Sequence, residues 1–118
     1  MTINWTDPGF SESHLRGYYE SPWSFEETVA RLVTASGQPI NSFDEYKSSV
    51  NFVGTFEGQR FTLYDYKEDR AIHIGGNDEL DISNLVVALT DALNLVEPTP
   101  YKAKEYYADQ RGHEWSED

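Results

Sequence analysis

From Val50 onward the apolar residues stop recurring at helical spacing and fall on every second position, which restricts this stretch to a sheet. Val50, Phe52, Gly54 and Phe56 point one way and Asn51, Val53 and Thr55 the other, the alternation of a strand with one buried face. The run ends at Glu57-Gly58-Gln59-Arg60, where Gly58 suits the first central position of a type II′ turn. With Gly58-Gln59 as the loop, Glu57 faces Arg60, Phe56 faces Phe61, Thr55 faces Thr62 and Val53 faces Tyr64, so like sides meet. A second turn at Lys67-Glu68-Asp69-Arg70 returns the chain as Ala71-Ile72-His73-Ile74. Placing Tyr66 opposite Ala71 sets Ile72 and Ile74 on the Phe61/Leu63 side and His73 beside Tyr64. The expected product is a three-stranded antiparallel meander, closed by Gly75-Gly76.

One face of such a meander needs a cover, and the sequence offers it directly downstream. After Asp81, a suitable N-cap, Ile82, Leu85, Val86, Leu89, Leu93 and Val96 form the longest apolar stripe in the chain, at helical spacing. This predicts a long helix over the Phe52/Phe56/Leu63/Ile74 face, ended by Pro98. Upstream, Ser24-Phe25-Glu26-Glu27 is a capping box followed by Val29, Leu32 and Val33, with Gly37 and Pro39 as the stop. An N-terminal helix is expected there. Ser42-Phe43-Asp44-Glu45 repeats the box for one short turn. Thr99-Pro100 reads as N-cap and N1 of a C-terminal helix over Tyr101 to Arg111, stopped by Gly112. Residues 113–118 read as a loosely held end that Trp115 could anchor. Residues 1–23 mix Pro8, Gly9, Gly17 and Pro22 with Trp5, Phe10, Tyr18, Tyr19 and Trp23, and are expected as an irregular aromatic arm. The fold class is α+β, and 118 residues suit one domain, 1–118.

Enzyme chemistry finds little support. There is no cysteine, so thiolate zinc sites and cysteine nucleophiles are excluded. His14, His73 and His113 lack ligand spacing, and the P-loop, dinucleotide, G-x-S-x-G and H-E-x-x-H patterns are missing. Gly75-Gly76 before a helix invites a phosphate, but Asp78, Glu79 and Asp81 already occupy that helix end and would repel one. Asn77-Asp78-Glu79-Asp81 lacks the alternation, central Gly and distal Glu of a calcium loop. His73 reads better as a hydrogen-bonded histidine than as a general base, and among 21 acids a close carboxylate pair carries no information. The expectation is no enzyme, no metal and no cofactor.

Charge and aromatics remain. Nine Lys+Arg against 21 Asp+Glu give a formal charge of −12, a field that repels phosphate backbones and anionic membranes and attracts basic partners. The aromatic share of 14% is too high for a disordered acidic chain. Asp65, Glu68, Asp69, Asp78, Glu79 and Asp81 fall within one stretch, and the two loops that hold most of them could adjoin each other. They serve either as a solvated rim or as an anionic surface that imitates nucleic-acid phosphates in a partner's basic groove. Tyr64 and Tyr66 share the second sheet face with His73. Covering of that face by Trp5, Phe10, Trp23 or Trp115 is expected ahead of an open ligand or interface surface. No leader pattern or span-length apolar run occurs, which predicts a cytoplasmic, soluble protein with no membrane contact.

Phe61-Thr62-Leu63-Tyr64-Asp65-Tyr66-Lys67, then Ile72-His73-Ile74-Gly75-Gly76, Pro98-Thr99-Pro100-Tyr101 and Gly112-His113-Glu114-Trp115 resemble small accessory proteins of tailed bacteriophages over roughly the C-terminal half. The resemblance carries no catalytic motif. It implies a phage-encoded protein in the host cytoplasm that acts by binding, as an inhibitor of host nucleases or transcription factors and in some cases as a nucleic-acid mimic. The partner so implied is a basic, nucleic-acid-handling host protein of the restriction or CRISPR kind. The competing expectation is a homo-oligomeric small-ligand binder using Tyr64, Tyr66 and His73.

Overall fold

The computed structural model describes residues 2–9, 11–38, 50–67 and 69–98. The expected short turn at 42–45, the C-terminal helix over 101–111 and the 113–118 end lie outside these residues. The described chain runs β1 (Ile3–Asn4), β2 (His14–Tyr19), α1 (Phe25–Ser36), β3 (Asn51–Phe56), β4 (Gln59–Tyr64), β5 (Ile72–Gly76) and α2 (Ile82–Asn94). It is an α+β fold built on one antiparallel sheet in the order β1-β3-β4-β5-β2.

The sheet therefore has five strands, not the three expected. The two extra strands come from the segment read as an irregular arm, and the helix at Phe25–Ser36 is not the N-terminal element because both precede it. β2 hides from a periodicity search because it is bulged. Leu15 pairs with Gly75 and Gly17 with Ile74, leaving Arg16 as the extra residue. An extra residue inverts the in/out phase. Leu15 and Tyr19, which share odd parity, thus end on opposite faces, Leu15 half-exposed and Tyr19 buried.

The hairpin between β3 and β4 also differs in detail. Its loop is Glu57-Gly58, with φ of 52° and 80°, the two positive values a type I′ turn requires. Phe56 consequently pairs with Gln59, Gly54 with Phe61 and Val53 with Thr62, two residues away from the expected register. A two-residue slip preserves the faces where a one-residue slip would invert them. Phe52, Phe56, Phe61 and Leu63 accordingly stay together on the buried side. Between β4 and β5, Leu63 pairs with Ile74 and Tyr64 with His73.

Both helices contribute to a single apolar cluster on that side. Val29, Ala30 and Leu32 of α1 and Leu85, Ala88, Leu89 and Leu93 of α2 meet Phe52, Phe56, Phe61, Leu63, Ile72, Ile74 and Tyr19. The Ser24 hydroxyl caps α1 by accepting the Glu27 amide at 3.1 Å, and Gly37 ends it at φ 71°. Asp81 caps α2 through the Asn84 amide. α2 stops at Asn94, short of Val96, and Arg31 of α1 reaches across to its end. The guanidinium donates to the carbonyls of Leu93 at 2.9 Å and Val96 at 3.0 Å while pairing with Glu27. It thereby serves carbonyls at the helix C-terminus, where the regular i+4 helical donors run out.

Candidate partner-binding surface

The outer face of the sheet is organised around His73. Strand pairing places Tyr64 on one side of it and Tyr18 on the other. The imidazole lies 4.8 Å from the Tyr18 ring, edge to face, and 5.1 Å from Tyr64, with Tyr66 at 6.4 Å. Gly75 helps to make this stack possible. A Cβ there would stand 2.7 Å from the Thr62 hydroxyl and 3.3 Å from the Tyr64 ring. His73 Nε2 donates to Asp69 Oδ2 at 2.5 Å, and Asp69 Oδ1 accepts the amides of Tyr66 and Ala71. Burial works to raise the Asp69 pKa, but the His73 hydrogen bond and those two amides outweigh it, and the net shift is downward. Burial, with the neighbouring Tyr18, raises that of Tyr64.

Trp5 and Trp23 do not cover this face. Trp5 packs edge-on against Phe61 at 5.6 Å on the core side, and Trp23 lies under the Arg31 guanidinium at 4.4 Å. Phe10 and Trp115 lie outside the described residues. Tyr18 and Tyr66 remain 53% and 41% exposed, beside Leu15 at 47%. At the Tyr19 end of β2 a cleft of about 550 Å³ opens. Tyr18, Glu20, Trp23, Phe25, Arg70 and Ile72 are among its lining residues.

The six expected acidic residues separate into groups with different roles. Asp65 is fully buried, and its Oδ1 accepts the Val50 amide at 3.1 Å. It ties the start of β3 to the end of β4 and is no surface residue. Asp69 is committed to His73, and Glu68 lies outside the described residues. Asp78, Glu79 and Asp81 are exposed at the β5–α2 connection. The two loops do not adjoin, because β5 runs between them from Ile72 to Gly76, about 13 Å of extended chain.

The second loop instead flanks β2. His14 meets Asp78 at 3.1 Å, and Arg16 donates to the Asn77 and Leu80 carbonyls. Asp78 and Glu79 are thus held beside the edge strand. Sequence reasoning missed Leu15, Arg16, Tyr18 and the cleft, since all depend on β2. The one available signal was the adjacent pair Tyr18-Tyr19, a β-favouring dipeptide.

Every arginine in the described residues has an internal partner. Arg16 and Arg31 hold backbone carbonyls, Arg60 meets Asp7 at 3.6 Å, and Arg70 pairs with Glu26. Lys67 lies 5.4 Å from the Tyr66 ring. Among the described residues no His, Asp and Glu side chains cluster as a metal site, and no helix is long and apolar enough to cross a membrane. Compared with protein-family models, curated proteins and solved structures, the chain shows no match to any.

Proposed function

We propose that this is a non-enzymatic acidic binding protein that captures a basic partner, of the phage-inhibitor type that the sequence resemblance implies. The observation that supports it is the division of charge. The described arginines are engaged internally, whereas Asp78, Glu79 and Asp81 stand in water beside an exposed edge strand. A surface of that kind favours guanidinium and ammonium groups over phosphates. The partner in this reading is a nucleic-acid-handling protein with a basic groove, bound in place of its nucleic acid.

The test is a four-site reversal, Glu12→Lys, Glu20→Lys, Asp78→Lys and Glu79→Lys, all at exposed positions. Capture of a basic nuclease or repressor should weaken by about tenfold or more, since four exposed ion pairs at about 0.3–0.4 kcal/mol each already reach the ~1.4 kcal/mol of a tenfold change. Association of the native protein should slow as salt rises. Unchanged affinity and salt dependence in the folded variant, or tight DNA binding by the native protein, removes the reading.

A second reading, an oligomeric small-ligand binder using Tyr64, Tyr66 and His73, draws support from the adjoining aromatic cleft. It requires a saturable rise in melting temperature with an aromatic small molecule and a stable oligomer.

A further inference from the structure

β2 is the last strand of the sheet on its side, with β5 as its only described neighbour. An edge strand presents main-chain N–H and C=O groups that another extended chain can use. Three features narrow what this edge accepts. The bulge at Arg16 interrupts the edge midway, so the regular run is the half from Gly17 onward. That half leads into the cleft beside Glu20 and Trp23. Exposed acids also bracket the strand, with Glu12 before it and Glu20 after it, and Asp78 docked on His14.

The charges decide between occupants. A second copy pairing antiparallel about the bulge would bring Glu12 opposite Glu20 of that copy, at both ends of the pairing, and like charges directly opposite are destabilising. A basic chain gains at the same places. Inside the cleft Arg70 is already paired with Glu26 and Trp23, Phe25 and Ile72 supply apolar lining, so the side chain entering there is apolar and the cations fall on Glu12, Glu20 and Asp78. Tyr18, half-exposed on the outer face, offers its ring to a guanidinium.

We infer that the β2 edge takes an extended, basic segment of the partner as a sixth strand, with one apolar side chain seated in the cleft lined by Trp23 and Ile72. The inference rests on the acidic-capture reading and specifies its contact.

The probe is a peptide of alternating basic and valine residues, about eight residues long. It is titrated into the full chain alongside two controls, one with proline at alternate valines and one with glutamate for each basic residue. The basic peptide should bind and shift the backbone amide resonances of residues 14–21. Proline, which removes strand donors but keeps charge, should weaken it by about tenfold or more. Tyr18→Ala should weaken it by about two- to fivefold, with a native-like amide spectrum outside β2 as the check on folding. Equal binding of the proline peptide, or shifts confined to α2, overturns the edge inference and leaves acidic capture standing. Equal binding of the glutamate peptide overturns both. A dimer that Tyr18→Ala dissociates, with no peptide bound, assigns the edge to a second copy and also overturns the inference.

Discussion

The carboxylate of Asp65 is fully buried and accepts the Val50 amide, so it closes the far end of the β3–β4 ladder where no further strand pairing exists. Removing such an acceptor strands a buried donor, which costs about 1–3 kcal/mol. Asp65→Ala should therefore lower unfolding stability by that amount in urea melts. Asp69 makes a different contribution. Its folded pKa lies below its unfolded value because His73 and two amides hold the ionised form. Its stabilising effect is present above the ordinary aspartate pKa and is lost as pH falls through the lower folded value. The stability gap between native protein and Asp69→Ala should accordingly be widest above the ordinary aspartate range and close below it, measured by denaturation from pH 6 down to about pH 2. Neither role was legible in the sequence. Both residues sit in a run of turn-like acids, and only the fold separates a buried ladder closure from a histidine partner.

At the level of elements, the turn at Glu57-Gly58 places a glutamate at φ 52°, a conformation that asparagine tolerates better. Glu57→Asn should raise stability by about 0.5–1 kcal/mol in the same melts. Gln38 plays an unusual part. Its side-chain amide accepts from the Val53 N–H at 3.0 Å and donates to the Val53 carbonyl at 2.7 Å. One side chain thereby stands in for a neighbouring strand where β1 has ended. Gln38→Leu should speed hydrogen exchange at Val53 far more than at Thr62 in the next strand. The central hairpins and α2 were readable because their periods are unbroken and their caps are local: Asp81 for α2, Gly58 for a turn. The turn still moved by one residue and the register by two, since glycine serves either central position when its neighbour is judged by identity alone. β1 and β2 were not readable, one being two residues long and the other changing phase at Arg16.

For the whole molecule, the formal charge of −12 predicts self-repulsion in the folded state, so modest added salt should raise the melting temperature even as it slows capture of a basic partner. The strand order has a kinetic consequence of its own. β1 and β2 are adjacent in the chain yet pair at opposite edges of the sheet, each with a strand about 50–60 residues further on. On a ribosome adding ~5–20 residues per second, the first strands wait roughly 3–10 s for partners. The β3–β4–β5 hairpins need only local contacts and can close as soon as they emerge. The β2 edge is therefore the part of the sheet completed last, by a segment synthesised early.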